Sequence, residues 1–459
     1  MPAKEFATEI VRTLRQHGHQ AYLVGGCVRD LLLGRQPADY DVATDAHPEQ
    51  VMSIFPETYA VGAQFGVVLV PLPDRLREEA ESRSTEYPGH SFSIEVATFR
   101  CDVGYSDGRH PDQVHYSTRP EEDVQRRDFT INGLLLDPMT NGVLDYVGGR
   151  ADLERRIVRT IGEPAHRFGE DKLRMLRAVR FAARFGYEID TATFAAIQRL
   201  APQIHQVSHE RVRDEIGKML VEGNARRAFE LLDASNLLRE VLPEIAAMKG
   251  VAQPPQFHPE GDVWTHTLML LEGLGGGVSR TLAFGALLHD VGKPPTFRVA
   301  PDRIRFDGHV EVGMRMAEEI CRRFRMSNED TEQIVAIVAN HMRFADVQKM
   351  KASTLKRFLR LPRFDEHMEM HRLDCLASHG DLSLYEFCRQ KLADTPPEQM
   401  RPEPLLTGDD LIAAGFEPGP QFKQMLSAVE DLQLEGSLTT REQALDFVRR
   451  EFPGHGKSS

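Results

Sequence analysis

The 459-residue sequence has only five cysteines, Cys27, Cys101, Cys321, Cys375 and Cys388, and none falls in a CxxC pair. An odd, scattered set excludes a disulfide framework and fits reduced thiols in a cytoplasm. No apolar run approaches the length of a membrane span, so no membrane partner is expected. The opening stretch MPAKEFATEIVRTLRQHGHQ carries acids and lacks a continuous apolar core. It reads as a surface helix, not as a signal peptide. Internal repeats and long low-complexity tracts are absent, and no segment marks an obligate protein partner. Net positive charge is missing too, the formal charge being −13. A nucleic-acid partner therefore requires basic residues clustered locally.

What is present is a globular composition in a chain long enough for two to four domains. Short β-type runs occupy the first 150 residues or so: AYLV at 21–24, YDVAT at 40–44, FGVVLVPL at 65–72, SIEVATF at 93–99 and GVLDYV at 142–147. From about residue 151 apolar residues recur at helical spacing almost to the end. Breaks rich in Pro and Gly, VAQPPQFHPEGD (251–262) and ADTPPEQMRPEPLLTGDD (393–410), divide the helical part. The sequence predicts an α+β chain: a mixed-sheet head (1–150), a helical neck (151–250), a His-rich helical segment (251–392) and a helical tail (393–459). The polar stretch 73–91 is expected to be a solvated excursion between two head strands.

The segment AYLVGGCVRDLLLGRQPADYDVAT carries most of the chemistry in the head. A strand runs into Gly25-Gly26, and a short amphipathic helix follows. Paired glycines before a helix let main-chain N–H groups approach a phosphate, and Arg29 in the first turn adds charge. Asp39 and Asp41 are spaced i, i+2 at the expected start of a strand, so both project from one face. Two such carboxylates repel unless a cation lies between them. Mg²⁺ prefers oxygen ligands and commonly joins carboxylates to substrate phosphates. Alone, the pair also fits a solvated edge strand.

GGCVRDLLLG followed by DYDVAT closely resembles the head of the nucleotidyltransferase superfamily, which is polymerase beta-like in fold and includes tRNA CCA-adding enzymes and bacterial poly(A) polymerases. EVATFR (95–100), DGRHPDQVHYS (107–117) and RRDFTINGLLLDP (126–138) are similar to stretches that follow in the same order in these enzymes. The resemblance covers roughly residues 20–250. It implies two-metal catalysis with Mg²⁺ on Asp39 and Asp41, triphosphate contacts from Gly26 and Arg29, and a further nucleotide contact from Arg127. Glu95 is a candidate third carboxylate, with a structural salt bridge as its alternative. CDVGYSDGRHP corresponds to a mobile loop in the family.

In the neck, GEDKLRMLRAVRFAARFG (169–186) read as one helix puts Arg174, Arg177, Arg180 and Arg184 on one arc and Met175, Leu176, Val179, Ala182 and Ala183 on the other. Asp171 and Arg174 are then i, i+3 neighbours. A carboxylate beside a guanidinium complements cytosine and adenine, because Asp accepts from the exocyclic amine and Arg donates to the ring nitrogen. Guanine and uracil present the opposite polarity, and a mismatch of that kind costs roughly 1–3 kcal/mol. EDKLR (170–174) matches the family's EDxxR motif, which implies base selection by these two residues. Arg177 and Arg180 carry over as nucleotide or phosphate contacts.

A histidine–aspartate series follows: His266, His289-Asp290, His309, His341 and Asp374. Imidazole and carboxylate together suit divalent transition metals. The order H…HD…H…H…D resembles the HD superfamily of metal-dependent phosphohydrolases. It implies an Mn, Ni, Co or Fe site, a metal-activated water and a phosphate contact from Lys293. A decayed or RNA-positioning HD fold is the alternative. The tail shows only amphipathic helices.

These readings converge on a template-independent tRNA nucleotidyltransferase using CTP and ATP. A CC-adding or A-adding enzyme, a poly(A) polymerase, an HD phosphohydrolase with a vestigial head and a non-catalytic RNA-binding protein are the alternatives. VGAQFGVVLV lacks the basic residues that tend to flank the phenylalanine in bacterial poly(A) polymerases.

Overall fold

The computed structural model describes residues 2–60, 66–74, 93–105, 108, 111–256 and 258–453. Nearly all of the charged 73–91 excursion, all of VGAQF (61–65) and part of the 101–111 loop lie outside the described residues. The chain folds as two compact units, residues 1–246 and 247–459.

The first unit opens with helix α1 (Pro2–Gln16). Its Phe6, Ala7, Ile10, Val11 and Leu14 recur on one face and are buried, while Arg15 reaches Asp137 at 2.9 Å. The central sheet uses β1 (Ala21–Val24), β2 (Asp41–Thr44), β3 (Val67–Pro71), β4 (Ser93–Thr98), β7 (Leu134–Asp137) and β8 (Gly142–Asp145), in the order β3-β4-β2-β1-β7-β8. The strands β5 (Arg100–Val103) and β6 (Gln113–Tyr116) form a separate antiparallel hairpin. Only the β2–β4 pairing in the large sheet is parallel. In that register Asp41 stands opposite Glu95, and on the other side opposite Val24. The expected mixed-sheet head is therefore present. Sequence reading missed β5 to β7, whose partners are set by tertiary pairing and not by a strong local pattern.

Between β1 and helix α2 (Gly26–Leu32) stands Gly25 with φ 78° and ψ −133°, a conformation that a side chain would strain. A Cβ there would also lie 3.2 Å from Arg127 Nη1. The neck follows as α3 (Pro164–Glu170), α4 (Leu173–Phe185) and α5 (His209–Val221), among further helices. Residues 169–186 are not one helix. Asp171 is extended, with φ −146° and ψ 108°, and its Oδ1 accepts from the Leu173 N–H at 3.0 Å. A short carboxylate that bonds its own main chain competes with helix continuation, and helical periodicity alone does not reveal it.

The second unit is helical apart from a two-stranded hairpin at 298–305. Its principal helices are α6 (Val263–Gly273), α7 (Arg280–Leu288), α8 (His309–Arg323), α9 (Asn328–Asn340) and α10 (Phe364–Ala377). Residues 406–448 carry a small core of their own, including Leu411, Met425, Val429 and Val448. Among the described residues no helix is long and apolar enough to cross a membrane.

Gly292 lets the turn after α7 touch the start of α8. A Cβ at 292 would fall 2.1 Å from the His309 carbonyl oxygen and 2.6 Å from the Gly313 nitrogen. Main chain cannot yield there, so Gly292→Ala is expected to destabilise this unit by roughly 2–4 kcal/mol and displace His309. Chemical denaturation of wild type and variant checks this; an unchanged midpoint refutes the packing constraint.

Candidate functional site

Asp41 begins β2, whereas Asp39 lies in the loop before it. The expected geometry of two aspartates on one strand is thus corrected. The carboxylate that shares a sheet face with Asp41 is Glu95, its in-register neighbour on a parallel strand about 4.8 Å away. Burial, followed by the charges of Glu95 and Asp39, pushes Asp41 up to about 6 despite the nearby Arg127 guanidinium. Burial and Asp39 raise Glu95 as well. Three carboxylates thus converge, and such a set has the chemistry of a divalent-cation site. The groups of three or more ligand atoms that close within 4.8 Å among the described residues all lie in the second unit.

The Gly26 main chain starts α2 beside the Arg29 guanidinium. Arg29 itself is buried. It donates to Asp30 at 2.8 Å and to Asn132 at 2.6 Å, and it stacks on Phe185 and Phe181 of α4 at 4.6 and 5.2 Å. Asn132 passes the chain on to Asp128 at 3.0 Å, and Asp128 receives Arg177 through two bonds of 2.9 and 2.7 Å. Burial would raise Asp128, but Arg177 and Asn132 hold it down at about 2. Arg127 is anchored on Asp123 at 3.0 and 3.3 Å, with its other nitrogen against the Gly25 turn.

The expected basic stripe on the neck is internally paired. Arg180, 5% exposed, donates to Glu215 at 2.7 Å and Glu222 at 3.2 Å. Because α4 is broken from α3, Asp171 and Arg174 are not neighbours on one helical face. Asp171 instead accepts a two-pronged bond from Arg211 of α5 at 2.7 and 3.2 Å. Arg174 pairs with Glu170 and donates to the carbonyls of Arg167 and Arg126, each at 3.1 Å. Each half of the pair is therefore fixed separately. Arg211, Glu170, Asn132 and Asp128 were not singled out from sequence. Only RRDFTIN and EDKLR hinted at the last three, and nothing local pointed to Arg211.

The second unit gathers every residue of the histidine–aspartate series, from five helices. His266 lies in α6, His289 and His341 cap α7 and α9, His309 opens α8, and Asp374 lies in α10. His266 Nε2 is 3.3 Å from His289 Nε2 and 3.1 Å from Asp374. Asp290 lies 3.2 Å from His289, 3.8 Å from His341 and 3.9 Å from His309. Within the series, ligand atoms close into two sets, His266, His289 and Asp374, and Asp290, His309 and His341, and a third set joins His258 and Glu260 to His266.

The Nδ1 atoms of His289, His309 and His341 sit 2.8, 2.9 and 2.7 Å from the carbonyls of Ala286, Phe306 and Val338. A carbonyl only accepts, so each Nδ1 carries a proton and Nε2 turns inward. Asp290 Oδ1, His309 Nε2 and His341 Nε2 are buried without a hydrogen-bond partner. Such groups are costly unless an ion takes them up, so the donor set fits a metal centre. Burial would lower His266, but its bonds to Asp374 and Glu260 push it up to about 9. Burial likewise opposes ionisation of Asp290, yet His289 and Lys293 hold it well below the usual carboxylate range. Lys293 is committed to Asp290 and Gln253, both at 2.7 Å. The centre opens on a cavity of about 800 Å³, with Arg303, Arg305 and Phe306 on its wall. His258 and Glu260 adjoin it and were missed, since HPEGD read only as a chain break.

A family model described as "Poly A polymerase head domain" matches residues 21–159. "Probable RNA and SrmB- binding site of polymerase A" matches 186–249. "HD domain" matches 262–376. A Bacillus pumilus CCA-adding enzyme is 40% identical over 235 residues, 51% of this chain and 54% of that relative. The match thus spans about half the length of that relative. A Streptococcus mutans CCA-adding enzyme is 30% identical over 450 residues, 97% of each chain. The crystal structure of the Bacillus stearothermophilus CCA-adding enzyme in complex with CTP superposes with a TM-score of 0.73, at 27% identity and 98% coverage of both chains.

The Asp41 carboxyl has one measurable consequence. Its folded pKa of about 6 exceeds the ordinary 3.8, so its cost to stability appears as pH rises between these values and is complete above them. Asp41→Asn is expected to stabilise the metal-free protein at about pH 8, on the order of 1–2 kcal/mol after discounting for solvent. The gain should shrink toward about pH 4. Denaturation at both pH values checks this; equal effects at both remove the electrostatic account.

Proposed function

Because this chain belongs to the CCA-adding enzyme family, we propose that it adds C and A to the 3′ end of tRNA without a nucleic-acid template. The 3′-oxygen of the RNA attacks the α-phosphorus of CTP or ATP, the α–β bond breaks and pyrophosphate leaves. The observation that carries this reading is the mutually repelling set of Asp39, Asp41 and Glu95 beside the Gly25 turn. Mg²⁺ held by Asp39 and Asp41 supplies neutralising charge and a more acidic 3′-hydroxyl when bound. Glu95 stands in register beside Asp41 as the third carboxylate. Gly25-Gly26 offers bare main chain to the triphosphate, and Arg127 adds positive charge at the same turn.

Asp171 and Arg174 select the base. Arg211 orients the Asp171 carboxylate to accept from the amine of cytosine or adenine. Glu170 and two carbonyls steady Arg174 as the donor to the ring nitrogen. Arg29, Arg177 and Arg180 are mainly engaged with protein groups, so their part is to hold the head against the neck helix. The functional segments are a catalytic head (1–150), a base-selecting neck (151–250), an HD segment (251–392) and a tail (393–459), acting in the cytoplasm.

The paired ligand sets and the orphaned Asp290, His309 and His341 atoms favour a second activity, phosphoester hydrolysis in the HD segment. A transition-metal ion (Mn, Ni, Co or Fe) supplies the Lewis acid there when bound. Lys293 keeps positive charge beside Asp290, and the basic cavity wall receives the phosphate.

Asp39→Ala or Asp41→Ala is expected to abolish incorporation, by at least about a thousandfold, with the circular dichroism spectrum retained. Asp171→Ala or Arg174→Ala should admit GTP or UTP; undiminished selectivity would rule out the base-reading pair. Transcripts lacking CCA and transcripts ending in CC, each given CTP or ATP alone, separate full CCA addition from CC, A or poly(A) addition. His289→Ala should remove hydrolysis of a model phosphodiester and spare incorporation. If wild type hydrolyses none with any of the four metals, the second activity is refuted.

A further inference from the structure

The four histidines of the histidine–aspartate series are not held alike. Three rest their Nδ1 on main-chain carbonyls, as described above. His266 rests its Nδ1 on a carboxylate, Glu260 Oε1, at 2.7 Å. That glutamate side chain is only 4% exposed, and its Oε2 is buried without a hydrogen-bond partner. A buried anion is costly, and a carbonyl serves the other three rings at lower cost. Its position is therefore explained by what the charge does to His266. His258 Nδ1 reaches the same oxygen at 2.9 Å, its ring edge-on to His266 at 5.0 Å.

Resting on the reading that this centre binds metal, we propose that Glu260 is a positioning residue which fixes the His266 tautomer and makes its Nε2 the stronger donor of the centre. An ionised carboxylate behind an imidazole N–H raises the basicity of the opposite nitrogen more than a neutral carbonyl does. The two ion positions are therefore unequal. The one formed by His266, His289 and Asp374 holds its ion more tightly than the one formed by Asp290, His309 and His341, whose rings lean only on carbonyls. His258 is a second donor on Glu260 and not part of the effect. Its removal leaves the glutamate wholly to His266.

Co²⁺ titration of the full-length chain, followed through the visible bands of imidazole-bound cobalt, tests this. Wild type should show two saturable events. Glu260→Ala should weaken the tighter event roughly 10–100-fold and leave the weaker one in place. Glu260→Gln, whose amide oxygen still accepts, should weaken it less, and His258→Ala should not weaken it. The retained second event reports that the unit is folded; if Glu260→Ala unfolds it, the near-isosteric Gln variant decides. A tighter event unchanged in both Glu260 variants overturns the proposal and leaves the metal centre standing. A wild-type chain that shows no imidazole–cobalt bands overturns the metal reading itself, and this proposal with it.

Discussion

Carboxylates that cannot move apart govern the first unit. The parallel pairing of β2 with β4 fixes Asp41 opposite Glu95, and the Asp39 loop adds a third negative charge. The hydrogen-bonded backbone does not permit these groups to separate without breaking the sheet. The fold thus holds a repulsion between these carboxylates. Arg127 approaches that spot at the Gly25 turn, and its charge lowers Asp41 without cancelling the effect of burial and of the other two carboxylates. The second unit solves a related problem differently. It interleaves Asp290 and Asp374 with histidines, whose charges hold both carboxylates low despite burial.

The neck shows how an acidic chain organises arginine. Arg177 and Arg180 are bound to Asp128, Glu215 and Glu222, and Arg211 to Asp171. Pairing of this kind adds little as attraction once desolvation is counted, but it fixes orientation. Its product is a carboxylate and a guanidinium, Asp171 and Arg174, each held in a fixed orientation by its own partners.

Much of this was legible in the sequence. The glycine pair, the aspartates and the histidine series lie in order along the chain, and β1, β2, β3, β4 and β8 follow local apolar runs. What escaped were features set by partners distant in sequence. Glu95 acquires its neighbour only through strand register. Arg211 meets Asp171 from 40 residues away. The helix break at Asp171 depends on a side chain bonding its own backbone, which leaves no trace in apolar periodicity. The burial of Arg180 illustrates the same limit: an arc of arginines on a helical wheel does not say whether solvent or glutamate faces it.

The carbonyl-anchored rings carry a consequence for how this centre withstands sequence drift. Ala286, Phe306 and Val338 orient His289, His309 and His341 through main-chain oxygens. No codon change at those positions deletes a main-chain oxygen, so the identities of these three residues are free to wander with packing alone. Glu260 is different, because a single nucleotide change removes its carboxylate. Among the described residues, Glu260 is the side chain that does for His266 what main-chain carbonyls do for the other three rings.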